Sequence, residues 1–222
     1  MPVQAEGKYL GDWLKFEAEN QYSRDVVTIL AGSGAARELL TGMVLGRVTK
    51  GAAASAAVAG NTGDGAITAA PAVGAGAKPG VYRVVCIEPA VDGGKFAVED
   101  PNGILIGVAT VGIEFTNHLT FTIADGAADF VAGDTFTITV AAGSGKVKQI
   151  DFAATDGSDV ASGLLLLDTT APDGADRSGV AIVRNAIVSD NGITWPAGTT
   201  ANQKSAAIAQ LKTAGILVRQ GA

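Results

Sequence analysis

Residues 81–111 read VYRVVCIEPAVDGGKFAVEDPNGILIGVATV, and this stretch decides the fold class. Apolar and polar side chains alternate from Val81 to Ile87 and again from Gly94 to Asp100. That alternation is the period of a strand with one buried face. The sequences Asp92-Gly-Gly94 and Asp100-Pro-Asn-Gly103 are typical of turns. The stretch therefore predicts antiparallel strands joined by tight turns.

The same pattern continues to residue 140. Ile104–Val111, Leu119–Ile123 and Thr135–Val140 also alternate, and no helical period occurs in this span. Turn signals separate the strands at intervals of about 8–12 residues, as in small sandwiches and barrels. We therefore predict that residues 60–146 form an inserted all-β domain, an antiparallel, Ig-like β-sandwich or a barrel.

The segments that flank this domain have a mixed pattern. Val26–Leu30 and Gly179–Val188 are predicted strands, the latter the longest strand-like run in its flank. Thr200 and Gln203 have the spacing of a capping box, so a helix is predicted to begin there and to end near Gly215. The predicted class is α+β, mostly β.

The division into domains follows from these patterns and from a stretch rich in alanine and glycine. Residues 51–80 carry little side-chain mass and are predicted to be mainly a linker or loose surface segment. Residues 31–59 and 147–222 then form one small, discontinuous mixed α/β core around the insertion.

Residues 1–30 are the most polar and most aromatic part of the chain. Their four aromatic residues stand among charged residues, with a spacing that fits neither a helix nor a strand. Such side chains either pack back onto their own domain or anchor a partner, because Trp and Tyr contribute much of the energy of binding surfaces. The second interpretation predicts four binding residues in an N-terminal arm: Tyr9, Trp13, Phe16 and Tyr22.

Composition disfavours two kinds of partner. The net charge is −6 and the isoelectric point is about 4.7, which argues against binding to nucleic acid or to an anionic membrane. No run approaches the roughly 20 apolar residues of a membrane-spanning helix. Cys86 is the one cysteine, so no internal disulfide forms, and its alternating neighbours predict a buried side chain.

Few residues could carry chemistry. His118 is the one histidine, which excludes a histidine-based triad or a multi-histidine metal site within the chain. Gly143-Ser-Gly-Lys146 resembles the end of a phosphate-binding loop, but Val147 follows where Ser or Thr is required. The acidic loops Asp151–Asp159 and Asp168–Asp176 lack the spacing and the final glutamate of a calcium loop. We predict no catalytic, metal-binding or cofactor-binding residues, no cofactor and no enzymatic activity.

Four segments of the flanks resemble the head decoration proteins of tailed bacteriophages, the lambda-type capsid-stabilising family. In chain order they are Gly42-Met-Val-Leu-Gly46, Ala154-Thr-Asp-Gly-Ser-Asp-Val-Ala-Ser-Gly-Leu-Leu-Leu-Leu167, Val180-Ala-Ile-Val-Arg-Asn-Ala-Ile-Val188 and Leu211-Lys-Thr-Ala-Gly-Ile-Leu217. Their order is that of the family. The resemblance covers about residues 1–55 and 147–222, and the inserted domain is absent from the small lambda-type members.

The resemblance implies a structural virion protein, made in the host cytoplasm, that binds the outer surface of the expanded capsid as a homotrimer and stabilises it. Its partners are then the major capsid protein and further copies of itself. Residues 1–30 become the capsid-binding arm, residues 31–59 and 147–222 the decoration-protein core, and residues 60–146 a domain that projects outward.

Two alternatives from other classes stay open. The inserted domain could be an adhesion module that binds a host-surface protein or glycan, or the chain could be a structural protein of the tail. An enzyme such as a cell-wall hydrolase is disfavoured by the single histidine and the missing nucleophile and metal motifs.

Overall fold

The protein is described by a computed structural model that covers residues 8–221. The chain divides into two compact units. The flank unit contains the residues up to Val48 together with those from Gly145 onward, and the insert unit is Thr49–Ser144. Strands account for 45% and helices for 11% of the structure, which confirms the α+β, mostly β class.

The elements follow one another in three groups. Before the insert lie α1 (Leu10–Trp13), β1 (Leu14–Glu17), β2 (Arg24–Ile29), β3 (Arg37–Leu39) and β4 (Val44–Arg47). The insert contains β5 (Lys50–Ala57), β6 (Ala66–Ile67), β7 (Ala72–Val73), β8 (Gly80–Ala90), β9 (Gly93–Glu99), β10 (Leu105–Thr110), β11 (Phe115–Thr116), β12 (Leu119–Phe121), β13 (Ile123–Ala124) and β14 (Thr135–Ala142). After it lie β15 (Val147–Gln149), β16 (Ala161–Leu165), β17 (Thr169–Ala171), β18 (Arg177–Ile182), β19 (Ala186–Ser189), α2 (Ala201–Thr213) and β20 (Ile216–Arg219).

The insert unit is built on a five-stranded antiparallel sheet in the order β10-β9-β8-β14-β5. One face of this sheet and two smaller sheets, β11-β12-β7 and β13-β6, enclose a single apolar core. Its largest buried side chains are Tyr82, Phe96, Leu119, Phe121, Ile123, Phe130, Phe136 and Ile138. The five strands expected from the alternation in residues 81–140 are all present.

The prediction that the Ala/Gly-rich stretch is mainly a linker is wrong for its first part. Lys50–Ala57 is strand β5, paired antiparallel with β14. Backbone hydrogen bonds hold a strand whatever its side chains, and β14 supplies the large core residues Phe136, Ile138 and Val140. The compact insert unit therefore begins at Thr49, whereas the domain predicted from the sequence begins at residue 60.

The flank unit contains a closed barrel, β15-β2-β18-β16-β4, and a three-stranded sheet, β1-β19-β20. Helix α2 packs through Ala207 and Leu211 into the apolar cluster that these strands share. The predicted capping box is confirmed, since the Thr200 amide donates to Gln203 Oε1 at 2.8 Å and the Gln203 amide donates to Thr200 Oγ1 at 3.3 Å.

The long strand predicted over Gly179–Val188 is two strands. It breaks between β18 and β19 at Asn185, whose φ is 43°, in the left-handed region that favours a turn. The break lets β18 join the barrel while β19 joins the β1-β19-β20 sheet. Strand-forming apolar residues stand on both sides of the turn, so the hydrophobic pattern alone did not reveal it.

Two glycines of the Gly42–Gly46 motif stand where another chain segment passes too close for a side chain. A Cβ on Gly42, whose φ is +71°, would lie 2.5 Å from the Gly192 carbonyl oxygen. A Cβ on Gly46 would lie 2.0 Å from the carbonyl oxygen of Ser158, a residue of the Asp-Gly-Ser motif. Two of the segments that resemble the decoration family are therefore packed directly against each other.

Replacing Gly46 with alanine is expected to lower the free energy of unfolding by about 2–4 kcal/mol, because backbone must move to admit the methyl group. Urea denaturation followed by circular dichroism measures the change. Gly11→Ala is the matched control, since Gly11 has open space around it and lies in a helix, where alanine is favoured. Equal stability of the Gly46 and Gly11 variants would contradict this account of the motif.

Candidate functional site

The four aromatic residues predicted to bind a partner have two different environments. Trp13 is 0% exposed and belongs to the core of the flank unit. Tyr9, Phe16 and Tyr22 are 62%, 55% and 56% exposed. The structure therefore brings three of the predicted residues to the surface and assigns the fourth to the interior.

Trp13 is held by a buried polar chain as well as by packing. Its indole Nε1 donates to Thr41 Oγ1 at 3.1 Å, and that hydroxyl donates to the Leu166 carbonyl at 2.8 Å. Gly192 packs directly on Trp13, since a Cβ there would lie 2.0 Å from the Trp13 Cβ. The segment that carries Tyr9 and Phe16 is thus fixed to the flank unit between those two residues.

Most of the described part of the predicted arm is regular structure. Within residues 8–30, helix α1 and strand β1 precede β2, which is a strand of the barrel. The side chain of Lys8 donates to the Gly192 carbonyl at 3.2 Å and to Thr194 Oγ1 at 2.9 Å. Residues 1–7 of the predicted arm lie outside the described residues. A capsid-binding role for residues 1–30 stays a prediction.

Strand β1 is an edge strand with an apolar groove beside it. It pairs with β19 on one side and has no strand on its other side within residues 8–221. A groove of about 300 Å³ is lined by Leu10, Gly11, Leu14, Lys15, Phe16 and Glu17. An exposed edge offers unpaired backbone groups to a strand from another chain. This edge and its groove are the candidate binding site.

Two side chains of the predicted arm, Glu17 and Tyr22, are each held by an arginine of the flank unit. Glu17 accepts hydrogen bonds from Arg24 Nε at 2.7 Å and from its Nη2, and this interaction lowers the pKa of Glu17. The guanidinium of Arg184 lies 5.2 Å from the centre of the Tyr22 ring and donates to Asp25 Oδ2 at 2.9 Å. The exposed Tyr22 ring is therefore oriented by a cation–π contact.

The insert unit uses its aromatic residues internally. Tyr82, Phe96, Phe121, Phe130 and Phe136 are buried, and Phe115 packs against the same core. All residues of this unit are described. The glycan-binding alternative therefore gains no support from an aromatic platform on this unit.

The residues that were weighed as catalytic or ligand-binding candidates make packing contacts, turn hydrogen bonds or ion pairs in the fold. His118 lies edge-on to the Tyr82 ring at 6.4 Å between centroids. Asp156 accepts hydrogen bonds from the Ser158 amide at 2.9 Å and from Lys148 at 3.0 Å, as a turn carboxylate does. Lys146 of the P-loop-like sequence pairs with Asp176.

One acidic group escaped the sequence analysis because its members are far apart in the chain. The carboxylates of Asp92, Asp125 and Asp129 lie within 4.8 Å of one another on the surface of the insert unit. Asp129 also accepts a hydrogen bond from the Asp92 amide at 2.9 Å. Exposed acidic groups of this kind are common without an ion.

Acid is expected to weaken the flank unit through Asp156. Burial raises the pKa of this carboxyl, but hydrogen bonds from Ser158 and Lys148 outweigh it and lower the pKa to about 2, from 3.8. A depressed folded-state pKa stabilises the fold above about pH 4, and this stability is lost as the pH falls towards about 2.

We expect Asp156→Asn to remove about 1–2 kcal/mol of this pH-dependent stability after allowance for screening. Urea denaturation of wild type and variant at about pH 6 and about pH 2.5 measures the difference. Glu114→Gln, which changes an exposed carboxylate of the insert unit, is the control. An identical loss on acidification in wild type and in the Asp156 variant would contradict the prediction.

The comparison with known families gives a match over almost the whole chain. Residues 3–216 match the family described as Bacteriophage lambda head decoration protein D. The chain belongs to this family. Head decoration proteins are structural rather than enzymatic, and membership implies association with the phage capsid and a place in the virion.

The remaining comparisons add little to the family assignment. A search of curated proteins found no match. Two crystal forms of Xanthomonas campestris FlgL share 23% sequence identity with this chain, with a TM-score of 0.31. The match covers 49% of this chain. It covers 34% and 33% of the two FlgL chains, so this chain spans about a third of their length. Within residues 8–221, no helix is long and apolar enough to cross a membrane.

Proposed function

We propose that this head decoration protein binds the outer surface of the expanded capsid as a homotrimer and stabilises the shell. Its partners are the major capsid protein and two further copies of itself. The observation that carries the capsid-binding part is the edge of β1, where an open strand edge adjoins a groove and the exposed Phe16 ring. Family membership supports the class of partner.

Binding at this edge combines two kinds of contact. A strand of the capsid protein adds to β1 through backbone hydrogen bonds, and one of its side chains fills the groove. Phe16 and Tyr9 then lose most of their exposed surface, which makes them the anchors of the contact. Trp13 holds α1 and β1 in place, so less conformational entropy is lost on binding.

Three copies of the site act together in a trimer. When the first site of a trimer is bound, the other two bind at a high effective concentration, so weak single contacts add up to firm attachment. A protein that binds the expanded shell and not its precursor stabilises the expanded state by mass action. The negative net charge suits a surface that faces away from the genome.

Electron cryo-microscopy of expanded capsids mixed with the purified protein tests this function. We expect trimeric density at the threefold positions of the expanded shell, with the edge of β1 facing the capsid. Capsids that stay bare, although circular dichroism shows a folded protein, would overturn the proposal. In a parallel sample of whole tailed particles mixed with the protein, density on the tail in place of the head would transfer the function to the tail alternative.

A further inference from the structure

The five-stranded sheet of the insert unit has an outward face that carries small, apolar and hydroxyl side chains and few charges. We define the outer sheet face by the side chains that point away from the core. They are Ala54 and Ala56 on β5, Val81, Arg83, Val85 and Glu88 on β8, Lys95, Ala97 and Glu99 on β9, Leu105 and Val108 on β10, and Thr135, Thr137 and Thr139 on β14. Val81, Leu105 and Val108 are exposed, so apolar surface is in contact with solvent.

Four charged side chains lie on this face, and two of them, Lys95 and Glu88, form an ion pair at 2.7 Å. The other two stand side by side on β8 and β9. Arg83 on β8 and Glu99 on β9 are directly opposite each other in the antiparallel register. Across the part of the chain that the structure describes, neither side chain forms an ion pair or a hydrogen bond. Both charges are therefore available to a partner that places an opposite charge over each of them.

A second copy of the same face meets this requirement. A twofold axis that runs along the strands between β8 and β9 superposes β8 of one copy on β9 of the other. It brings Arg83 of each copy opposite Glu99 of the other, because the two residues share one register position. The strands of the two sheets stay roughly aligned, which is the usual way in which sheets pack face to face. We propose that the outer sheet face binds the outer sheet face of a second copy of this chain.

The neighbouring positions also fit this arrangement. Ala97 and Val85 are register partners, so the axis lays the small side chain of one copy against the larger one of the other. Likewise Val108 meets Thr135, and both lie in the row of Ala97 and Val85. Large side chains thus face small or β-branched ones, as interdigitating sheet faces require.

The size of the face predicts the strength of this contact. The axis overlaps four strands of each copy, β10, β9, β8 and β14, and leaves β5 beyond the edge of the partner sheet. Four strands that each occupy about 4.8 Å give a width of about 19 Å, so the footprint is roughly 400 Å² per copy. An interface of this size belongs to the weak and transient class. The contact concerns the insert unit alone and does not depend on capsid binding.

Sedimentation equilibrium of the full chain over a wide concentration range tests the proposal. We expect the weight-average mass at high protein concentration to rise above the mass of the oligomer that is present at low concentration. The proposed pair of faces contains two contacts between Arg83 and Glu99, and Arg83→Glu or Glu99→Arg turns both into contacts between like charges. Each variant should weaken the association of the two outer sheet faces at least about a hundredfold. Lys204→Glu, a charge reversal at an exposed position of the flank unit, should leave it unchanged.

The decisive sample is a mixture of the two charge-reversal variants. One variant then presents two negative charges and the other two positive charges, so the mixed pair regains both attractions and should associate again. Restored association in the mixture would support the twofold arrangement. Wild type that shows no concentration-dependent step, or single variants that associate like wild type, would overturn it. Trimers formed through the flank unit would persist in all of these samples and are thereby distinguished.

Discussion

Replacing Trp13 with alanine is expected to lower the free energy of unfolding by about 3–5 kcal/mol. The change removes the largest buried side chain of the flank unit and leaves a cavity beneath α1. It also leaves the Thr41 hydroxyl without the indole donor, 3.1 Å away in the native structure. Urea denaturation followed by far-ultraviolet circular dichroism measures the loss.

Tyr9→Ala is the control for this prediction, because Tyr9 lies four residues earlier on the same segment and is mostly exposed. It should change stability by about 0.5 kcal/mol or less. A Trp13 variant as stable as the Tyr9 variant would show that the segment contributes nothing to the flank core. Thr41→Val keeps the packing of Trp13 but removes both hydrogen bonds of the Thr41 hydroxyl, to Trp13 and to Leu166, with an expected cost of about 1–3 kcal/mol.

Replacing both Tyr9 and Phe16 with serine is expected to reduce capsid occupancy at least about a hundredfold at equal protein concentration. Each substitution removes an exposed aromatic anchor, and a trimer presents three copies of the weakened site. The fold should be retained, because both rings are more than half exposed. Occupancy is measured by pelleting expanded capsids with the variant and quantifying the bound protein.

Val91→Ser is the control for surface hydrophobicity, since Val91 is exposed at the β8–β9 hairpin of the insert unit. It should bind capsids like wild type. If the Tyr9 and Phe16 double variant coats capsids as densely as the control, the edge of β1 is not the contact. Truncation of residues 1–30 would not decide the matter, because it also removes Trp13 and the barrel strand β2.

Local patterns in the sequence were sufficient for the elements that depend on near neighbours. The strands of the insert unit followed from side-chain alternation, and the start of α2 followed from the spacing of Thr200 and Gln203. Both signals are local, because a strand's face and a helix's cap are set by residues a few positions apart. The family likewise could be inferred from four short segments in the correct order.

The role of Trp13 needed the tertiary structure. Its neighbours in sequence mix polar and apolar residues without a helical or strand period, and two residues that pack on it or bond to it, Thr41 and Gly192, are distant in the chain. From its sequence context Trp13 is therefore indistinguishable from Tyr9, Phe16 and Tyr22, which are exposed. The reason is physical, since burial depends on what packs against a side chain and not on its type.

Lys50 is a second residue whose burial could not be predicted from its neighbours in sequence. It stands directly before the stretch predicted to be a linker, residues 51–80, yet it is buried and its Nζ donates to the carbonyls of Gly74, Ala75 and Ala77. The three acceptors are close in sequence, but Lys50 is more than 20 residues away and reaches them in the fold in which β5 is paired with β14. No local pattern specifies such a cage of carbonyl groups.

The sequence by itself determined the class, the strands of the insert and the resemblance to head decoration proteins, because periodicity and short motifs are properties of neighbouring residues. The tertiary structure alone decided which aromatic side chains reach the surface and that β1 is an open edge. It also placed Arg83 and Glu99 side by side on one face. Those features arise from pairing between segments far apart in the chain, and the register of that pairing is set by the packed core as a whole.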